Sequence, residues 1–327
     1  MNVKRSAVSL CVLAVLVGNV VAAEAHGMIG QRFLPATLAT DDPFVADELS
    51  LPTIFHIKLP SSEDTSATKF TSLSSELSKR LSPDLGISAS GAWDILAPDG
   101  GNTFTGFENM EVNLKYVYFK SAAHELLLSA GFTAEIGGTG SSKVAESFDH
   151  YVPQLYFGKG FGDLPDAVEW LKPIAVTGVF GWSVPSRTHN KIISLNDDGD
   201  VEVHREFNPT VFQWGFSVQY SLQYLQAFVR DIGLPAPFNR MIPLVELPLQ
   251  TTMNGPLAGH TTGTVNPGII WFGRYVQLGI EAVVPINERT GKRVGVLAQI
   301  HFYLDDIAPN IFTWTPFHGV LGPTQPR

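Results

Sequence analysis

The chain has 327 residues, of which 44% are hydrophobic and only 16% are charged. The charged fraction is low for a soluble domain, in which about a quarter of the residues carry a charge. Acidic residues outnumber basic ones by 31 to 22, so the formal net charge is −9. This balance excludes a nucleic-acid partner, because such a surface requires clustered Lys and Arg.

The amino terminus has the layout of a secretory signal peptide. Lys4 and Arg5 form a short basic region, and Ser6 to Ala23 is a stretch of small and apolar residues. Ala23-Glu24-Ala25 then fits the small-x-small pattern that a signal peptidase cleaves. The sequence predicts that residues 1–25 are removed on export, and an uncleaved membrane anchor is the alternative.

The exact start of the mature chain is open, since cleavage after Ala23 instead of Ala25 would leave Glu24 rather than His26 at the front. Cys11 is the single cysteine and lies inside the signal peptide, so the exported protein has no thiol for a disulfide or a thiolate metal site. Removal of residues 1–25 leaves 20 basic and 30 acidic residues, a net charge of −10.

Apolar and polar residues alternate with period two along the mature chain. In Val276–Val284, for example, valines, Leu278 and Ile280 share one face, and Gln277 and Glu281 lie on the other. Such alternation predicts strands, because a helix would scatter these residues around its axis. The clearest segments are Glu111–Phe119, Glu125–Ile136, Val211–Tyr224, Val276–Val284 and Arg293–Leu304. Weaker segments are Thr53–Leu59, Thr71–Leu81, Leu85–Trp93, Tyr151–Lys159, Pro173–Ser183, Met241–Thr252 and Thr264–Gly273.

These features predict an all-β fold, a closed antiparallel transmembrane β-barrel of about twelve strands (10–14) in an outer membrane. The polar face consists of Gly, Ser, Gln and scattered carboxylates, which suits a lumen. Large aromatics such as Trp93, Trp182 and Trp214 lie on the apolar face, as in interfacial girdles. A barrel leaves no unpaired strand edge in lipid. A half-buried sheet in a soluble periplasmic protein is the alternative.

The connections between the predicted strands alternate in length, which places the long loops outside and both termini in the periplasm. Residues 26–51 are too irregular for a strand and are predicted to form an irregular segment or a plug. Residues 52–304 form the barrel, and the Pro-rich residues 305–327 form a periplasmic tail.

Charged residues on the predicted polar face are candidates for the lining of the lumen, either as a polar constriction that screens solutes or as a structural network. They are Glu76, Arg80, Glu111, Lys115, Glu125, Glu135, Glu246, Glu281, Arg293 and His301.

Several stretches resemble a family of outer-membrane proteins named for the phenol meta-cleavage pathway. The stretch from Glu76 to Ile87 (ELSKRLSPDLGI) is similar to a strand–turn–strand of that family. The stretches NPGII at 266–270, QLGIEAVVPIN at 277–287 and GVLAQIHFYL at 295–304 resemble its carboxy-terminal hairpins. The resemblance implies a barrel that passes small hydrophobic or aromatic compounds, although a shared fold hosts many functions.

The sequence thus predicts an outer-membrane channel or transporter for a small hydrophobic or aromatic solute, without enzymatic activity or a cofactor. The expected partners are outer-membrane lipids, a small apolar solute and the barrel assembly machinery; the oligomeric state is left open. One alternative is a barrel enzyme acting on lipids, which needs a serine beside His124, His150 or His301. The other is a soluble periplasmic β-protein that binds a ligand.

Two metal sites are weak possibilities in the sequence. If cleavage follows Ala25, the free amine and the imidazole of His26 could together bind copper. The acidic run Asn196-Asp-Asp-Gly-Asp200 has calcium-loop residues, but its glycine comes too early for an EF-hand.

Overall fold

Twelve long antiparallel strands dominate the structure. The computed structural model describes residues 27–61, 66–195 and 201–317, with the backbone alone at 191–195 and 201–204. The twelve strands are β3 Glu48–Leu59, β4 Thr68–Arg80, β5 Leu85–Pro98, β7 Met110–Ser121, β8 Leu126–Ile136, β9 His150–Gly160, β10 Ile174–Pro185, β13 Val211–Tyr220, β14 Met241–Thr252, β15 Thr261–Phe272, β16 Val276–Pro285 and β17 Gly295–Tyr303.

Shorter elements decorate both ends of this sheet. Five short strands complete the numbering, namely β1 Met28–Ile29, β2 Arg32–Phe33, β6 Phe104–Phe107, β11 His189–Leu195 and β12 Val201–Phe207. β1 pairs with β2, β6 pairs with β5, and β11 pairs with β12. Helical turns cover Ala122–His124, Asp166–Leu171, Leu222–Tyr224, Leu225–Val229, Phe238–Arg240, Leu304–Ile307 and Pro309–Phe312.

The twelve strands close into a barrel. Each strand pairs with the next one along the chain, and β17 returns to pair with β3, for example Leu297 opposite Phe55. Closure leaves none of the twelve strands with a free edge, which is what a sheet in lipid requires. The predicted closed antiparallel barrel of twelve strands is confirmed.

Each of the twelve predicted segments overlaps one observed strand, and the differences lie at the ends. The segment predicted over Val211–Tyr224 stops at Tyr220, because the Ser221 side chain accepts a hydrogen bond from the Tyr224 amide and starts a helical turn. Glu125 was predicted to begin a strand. It instead closes a 3-10 turn with φ of 45°, which only a few non-glycine residues adopt.

The two faces of the sheet differ as the alternation predicts. Outward side chains are apolar and exposed, such as Leu155, Val218 and Ile280, the last of which is 54% exposed. Inward side chains such as Ser129 and Gln277 are polar and buried. An apolar outer band around a polar interior is typical of transmembrane barrels.

The two ends of the barrel carry connections of different length. At the long-loop end, residues 60–67, 99–109, 137–149, 186–210, 253–260 and 286–294 join the strands. At the short-turn end three connections are short, 81–84, 122–125 and 273–275, and two are longer, 161–173 and 221–240. In the described part of the chain, no helix has the length and apolar character needed to span a bilayer.

Residues 27–47, the N-terminal segment, lie inside the barrel. Leu34 and Phe44 pack there in one apolar cluster with Val117 and Leu127 of β7 and β8. Leu38 belongs to a second cluster whose other buried members come from the barrel strands, namely Ile57, Ile242, Leu244, Ile270, Phe272, Val283 and Leu297. The interior is therefore not uniformly polar, and part of it is an apolar core around the N-terminal segment.

The difference between the faces gives a stability prediction. Ile280→Arg should lower the free energy of unfolding in lipid vesicles by about 2–4 kcal/mol, because it places a cation on the outward face at mid-strand. Ser90→Arg, on the inward face, should cost less than half of that, since acidic side chains surround it. Denaturant titration of tryptophan fluorescence checks both, and equal losses would contradict the face assignment.

Candidate functional site

The N-terminal segment is fixed to one side of the barrel wall by a buried carboxylate. Glu246 on β14 has no exposed surface. Its carboxylate accepts hydrogen bonds from the amides of Leu38 (2.8 Å), Ala39 (2.8 Å) and Thr40 (2.6 Å), and from the Thr40 hydroxyl (3.1 Å). Bonds from donors to a charged acceptor are among the stronger ones in proteins. The segment is thus held by its backbone.

Glycines in the strands allow this close approach. A Cβ added to Gly279 would lie 2.6 Å from Leu38 Cδ1, and one added to Gly215 would lie 2.8 Å from Thr40 Cγ2. Glycine is therefore needed at both positions, because any Cβ there would overlap the N-terminal segment.

A second anchor lies at the short-turn end. Arg32, which is completely buried, donates from Nε to Glu125 (3.0 Å) and from Nη1 to the carbonyl of Pro173 (2.9 Å), and also binds the carbonyl of Lys172. Its guanidinium lies 3.7 Å from the ring centre of Tyr224, whose hydroxyl donates to Glu125 (2.9 Å). Burial, followed by the bond to Glu125, raises the pKa of Tyr224 to about 12.

Two further contacts hold the segment along its length. Lys115 on β7 binds Asp41 (3.0 Å) and the carbonyl of Asp42 (2.6 Å). Near the short-turn end, Asp47 is bound by Lys79 (2.6 Å) and Arg80 (2.8 Å) of β4. The segment is thus also bonded to β4 and β7, across the lumen from β14, so it divides the lumen.

The other side of the lumen is open. A cavity of about 560 Å³ lies between the N-terminal segment and the inward faces of β3, β4, β5, β7, β8 and β17, and a cavity of about 140 Å³ adjoins it. The larger volume is in the range that holds small organic ligands. Serines supply much of the strand wall: Ser50, Ser74, Ser75, Ser78, Ser88 and Ser90.

One lateral row of side chains, the polar row, follows this open side across seven strands. Its members are directly opposite one another in the strand register, in the order His301, Ser50, Glu76, Ser90, Glu111, Glu135, His150. His301 lies two residues from the short-turn end of β17, whereas His150 starts β9 at the long-loop end. Because strands tilt in a barrel, the row winds from one end to the other.

The wall of the open side is acidic. Its carboxyl groups are Asp41, Asp42, Glu48, Glu76, Asp94, Glu108, Glu111 and Glu135. Among the described residues that line it, Lys115 is the single lysine or arginine, and it is already paired with Asp41 and Asp42. The wall therefore has more acidic than basic side chains.

The N-terminal segment contributes a different surface to the same cavity. Ala36, Phe44, Val45 and Ala46 line it from that side. A solute in the cavity thus meets carboxylates and hydroxyls on the strands. On the segment it meets these apolar side chains and the carboxyls of Asp41 and Asp42.

Two carboxyls approach each other near the long-loop end. Asp94 on β5 is 2% exposed, and Glu108 lies beside it in the connection before β7. Burial, then the bond to and charge of Asp94, raises the pKa of Glu108 to about 7.

Nine of the ten candidate residues fall into three groups. Glu76, Glu111, Lys115, Glu135 and His301 line the open cavity. Glu246 is buried under the N-terminal segment with Glu281 beside it. At the short-turn end, Glu125 binds Arg32, and Arg80 bridges Asp47 and Asp305 (both 2.8 Å).

Arg293 does not belong to these groups. It was predicted at the start of a strand, but β17 begins at Gly295 and Arg293 is exposed in the preceding loop. The alternation of apolar and polar residues continues past the end of the paired strand, so the sequence alone predicted Arg293 to lie on the barrel wall.

The sequence missed Arg32, Asp94 and Glu108. Arg32 stands in an irregular stretch, and no local pattern indicates its partner Glu125, 93 residues away. Asp94 follows the segment predicted over Leu85–Trp93 by one residue. Its inward position continues Ser88 and Ser90 at spacing two, which was the available signal.

Two serine–histidine contacts bear on the enzymatic alternative. His301 Nδ1 lies 2.9 Å from Ser50 Oγ, and His150 Nδ1 lies 3.0 Å from Ser183 Oγ. All four side chains face the cavities inside the barrel. His124 instead contacts Asp163 (3.1 Å) in an exposed turn. None of these pairs faces the lipid side, where a lipid-cleaving site would have to open.

The metal possibilities from the sequence lie outside the described residues, since His26 and Asn196–Asp200 are not covered. Within the described ranges, no three His, Cys, Asp or Glu side chains converge as metal ligands.

Comparison with solved structures gives the same architecture. An outer-membrane channel from Pseudomonas putida F1 superimposes with a TM-score of 0.51 at 12% identity, covering 83% of this chain and 98% of that one. The fold is that of an outer-membrane β-barrel. The β domain of the Bordetella autotransporter BrkA gives 0.47 at 12% identity (79% and 99% covered). The KdgM porin in complex with oligogalacturonate gives 0.43 at 13% identity (77% and 97% covered).

No family model and no curated protein matches the chain. Identities this low establish the fold alone, so function has to be argued from the residues of this chain.

The Arg32 anchor gives a second stability prediction. Arg32→Met should lower the free energy of unfolding by about 3–5 kcal/mol, because it leaves the buried Glu125 carboxylate without its cation. Lys292→Met is the matched control: it removes an exposed pair with Glu288 (3.3 Å), and such pairs contribute about 0–1 kcal/mol. Denaturant unfolding measures both. A loss for Arg32→Met no larger than for the control would show that the anchor contributes little.

Proposed function

We propose that the protein is an outer-membrane channel that conducts small solutes along the open side of its lumen and prefers cations. The polar row carries this proposal, since it supplies inward polar side chains without interruption from the short-turn end to the long-loop end. The apolar outer band supports the membrane location. The long loops then face outside and the short turns face the periplasm.

The preference for cations follows from the charge of the wall. Rings of Asp and Glu select cations in channels, and a narrow acidic passage with low-dielectric walls concentrates positive solutes. Glu111 and Glu135 stand directly opposite each other, an arrangement that is unfavourable without a positive neighbour. A passing cation removes that repulsion.

The family resemblance supports a small hydrophobic or aromatic solute, and one observation favours keeping it as a second candidate. The N-terminal segment presents Phe44, Val45 and alanines to the cavity. A wholly apolar solute would contact that side well but would also displace water from carboxylates, which is costly. A small solute that combines an apolar body with a positive group suits both sides.

We also propose that residues 27–47 act as a plug that narrows the bore. Two apolar clusters, the Glu246 bonds and the Arg32 anchor support this role. A plug fixed by so many contacts sets the size of the passage and favours a low conductance.

Reversal potentials in planar bilayers test the cation preference. In a KCl gradient the wild-type channel should be more permeable to K⁺ than to Cl⁻. The double variant Glu111→Gln/Glu135→Gln should lower that ratio roughly threefold or more, because two charges leave the narrow passage. Glu288→Gln, in an exposed loop, should leave the ratio unchanged. A wild-type channel that prefers Cl⁻, or that does not conduct, would refute the proposal.

Hydrogen exchange and conductance test the plug. Glu246→Ala leaves three buried amides without an acceptor, each at a cost of about 1–3 kcal/mol. The amides of Leu38, Ala39 and Thr40 should exchange faster, and the single-channel conductance should rise. Thr251→Ala on the same strand is the control and should change neither. Faster exchange without a change of conductance would show that the Glu246 bonds hold the segment in place but that the segment does not limit conductance.

A further inference from the structure

Four acidic side chains form two pairs at the long-loop end of the open side, here called the outer carboxylate group. Asp94 lies beside Glu108, and Glu111 lies opposite Glu135. Among the four, Asp94 gives the clearest indication of a ligand. It lines the cavity, is almost fully buried, and its Oδ1 receives no hydrogen bond from any described residue. A buried carboxylate oxygen of this kind needs a donor.

The described surroundings supply little positive charge to the group. Glu135 accepts one bond from Asn109 (2.8 Å), and Glu111 accepts a long one from Ser90 (3.3 Å). The imidazole of His150, opposite Glu135, is bound to Glu146 (2.7 Å) and Ser183 (3.0 Å). Lys115 is four residues further along β7 and is bound to Asp41 and Asp42. Neutral donors do not balance four carboxyls, so the group is suited to a cationic ligand that brings its own N–H donors.

The spacing of the pairs favours an organic cation over a metal ion. A hard metal ion needs several oxygens at one point, and in the described chain no such convergence of three acidic or histidine side chains occurs. Ser90, which lies opposite Glu111, and Asp94 are four residues apart on the same face of β5, which corresponds to about 13 Å along the strand. Two ammonium groups on a four- or five-carbon chain span that distance when each hydrogen bond is about 2.8 Å.

We propose that the outer carboxylate group is a binding site for an aliphatic diamine, with one ammonium at Asp94 and Glu108 and the other at Glu111 and Glu135. The methyl group of Ala92, which lines the cavity between Ser90 and Asp94 on β5, lies where the carbon chain would pass. The inference rests on the proposed function in one respect: the ligand reaches the site through the lumen.

Protonation of Glu108 should make binding of the diamine depend on pH. Asp94 and Glu135 are the charged groups that act on Glu108, and the pKa of Glu108 is raised to about 7 by burial and by Asp94. Below that pH a proton occupies the carboxyl that the ammonium needs. Affinity for the diamine should therefore fall between pH 8 and pH 6, approaching tenfold for each unit below the pKa.

Titration calorimetry on the detergent-solubilised protein at pH 8 tests the site. The ligands are putrescine, the monoamine butylamine and the neutral butanediol. Putrescine should bind at least tenfold more tightly than butylamine, and butanediol should not bind. Asp94→Asn and Glu111→Gln should each reduce putrescine binding to the level of butylamine, and Glu288→Gln should leave it unchanged.

The heat-dependent shift of the folded barrel in gels establishes that each variant folds. If Asp94→Asn does not fold, Glu135→Gln takes its place, since it removes a charge from the same site on a neighbouring strand. Equal affinity for putrescine and butylamine, or putrescine binding unaffected by both the Asp94→Asn and Glu111→Gln substitutions, would overturn the inference.

The calorimetric test is independent of conduction. A cation-preferring channel that does not distinguish the two amines would refute the diamine site and leave the proposed function standing. Diamine binding by a protein that does not conduct K⁺ would refute the proposed channel function and leave the diamine site standing.

Discussion

The pairing of β17 with β3 is the constraint on which the rest of the structure depends. It joins the last long strand to the first, so that none of the twelve strands keeps an open edge. In lipid an unpaired edge would cost several kcal/mol for each exposed amide or carbonyl. Closure also fixes the tilt of every strand, and the tilt decides which inward residues become lateral neighbours. The polar row, from His301 through Glu76 and Glu111 to His150, is a direct result.

The N-terminal segment turns this closed wall into a passage with two unlike sides. An empty twelve-stranded barrel would enclose one wide polar space, but here apolar clusters and the Glu246 carboxylate hold a stretch of irregular backbone against β13–β16. Irregular backbone is stable at this depth because its amides find acceptors on the wall. The open cavity is lined on one side by serines and carboxylates of the strands. On the other side the segment presents Phe44 and its apolar neighbours together with Asp41 and Asp42. The proposed selectivity depends on the strand residues, whereas the width of the open cavity depends on the segment.

Buried polar residues have different tasks in the two halves. Glu246 accepts hydrogen bonds from three backbone amides of the segment, and Arg32 of the segment donates to Glu125 and to the carbonyl of Pro173, so both side chains hold the segment in place. On the open side, Asp94 Oδ1 receives no hydrogen bond from a described residue, and Glu111 and Glu135 each have one neutral donor. The oxygens of Glu281, beside Glu246, also receive none from the described residues, but Glu281 does not line the open cavity. Groups left unsatisfied by the fold are those on which a ligand acts most strongly, because the ligand supplies the missing donors. This contrast is the reason for separating the lumen-facing carboxylates into structural and solute-facing sets.

The sequence by itself determined the strands and their faces. Alternation fixes the direction of each side chain locally, because neighbouring residues of an extended chain point to opposite sides. Thus Val276–Val284 and Glu111–Phe119 were identifiable as strands without a partner. Among the residues assigned to the polar face, Glu76, Glu111, Lys115, Glu135 and His301 line the cavity. Strand ends were less certain, since the alternation continues past the last paired residue at Arg293 and Tyr224. Only the tertiary structure decided which inward residues meet. Arg32 with Glu125, and Leu38 with Glu246, are separated by 93 and 208 residues, and no local pattern encodes contacts that arise from closure and from the path of an irregular segment.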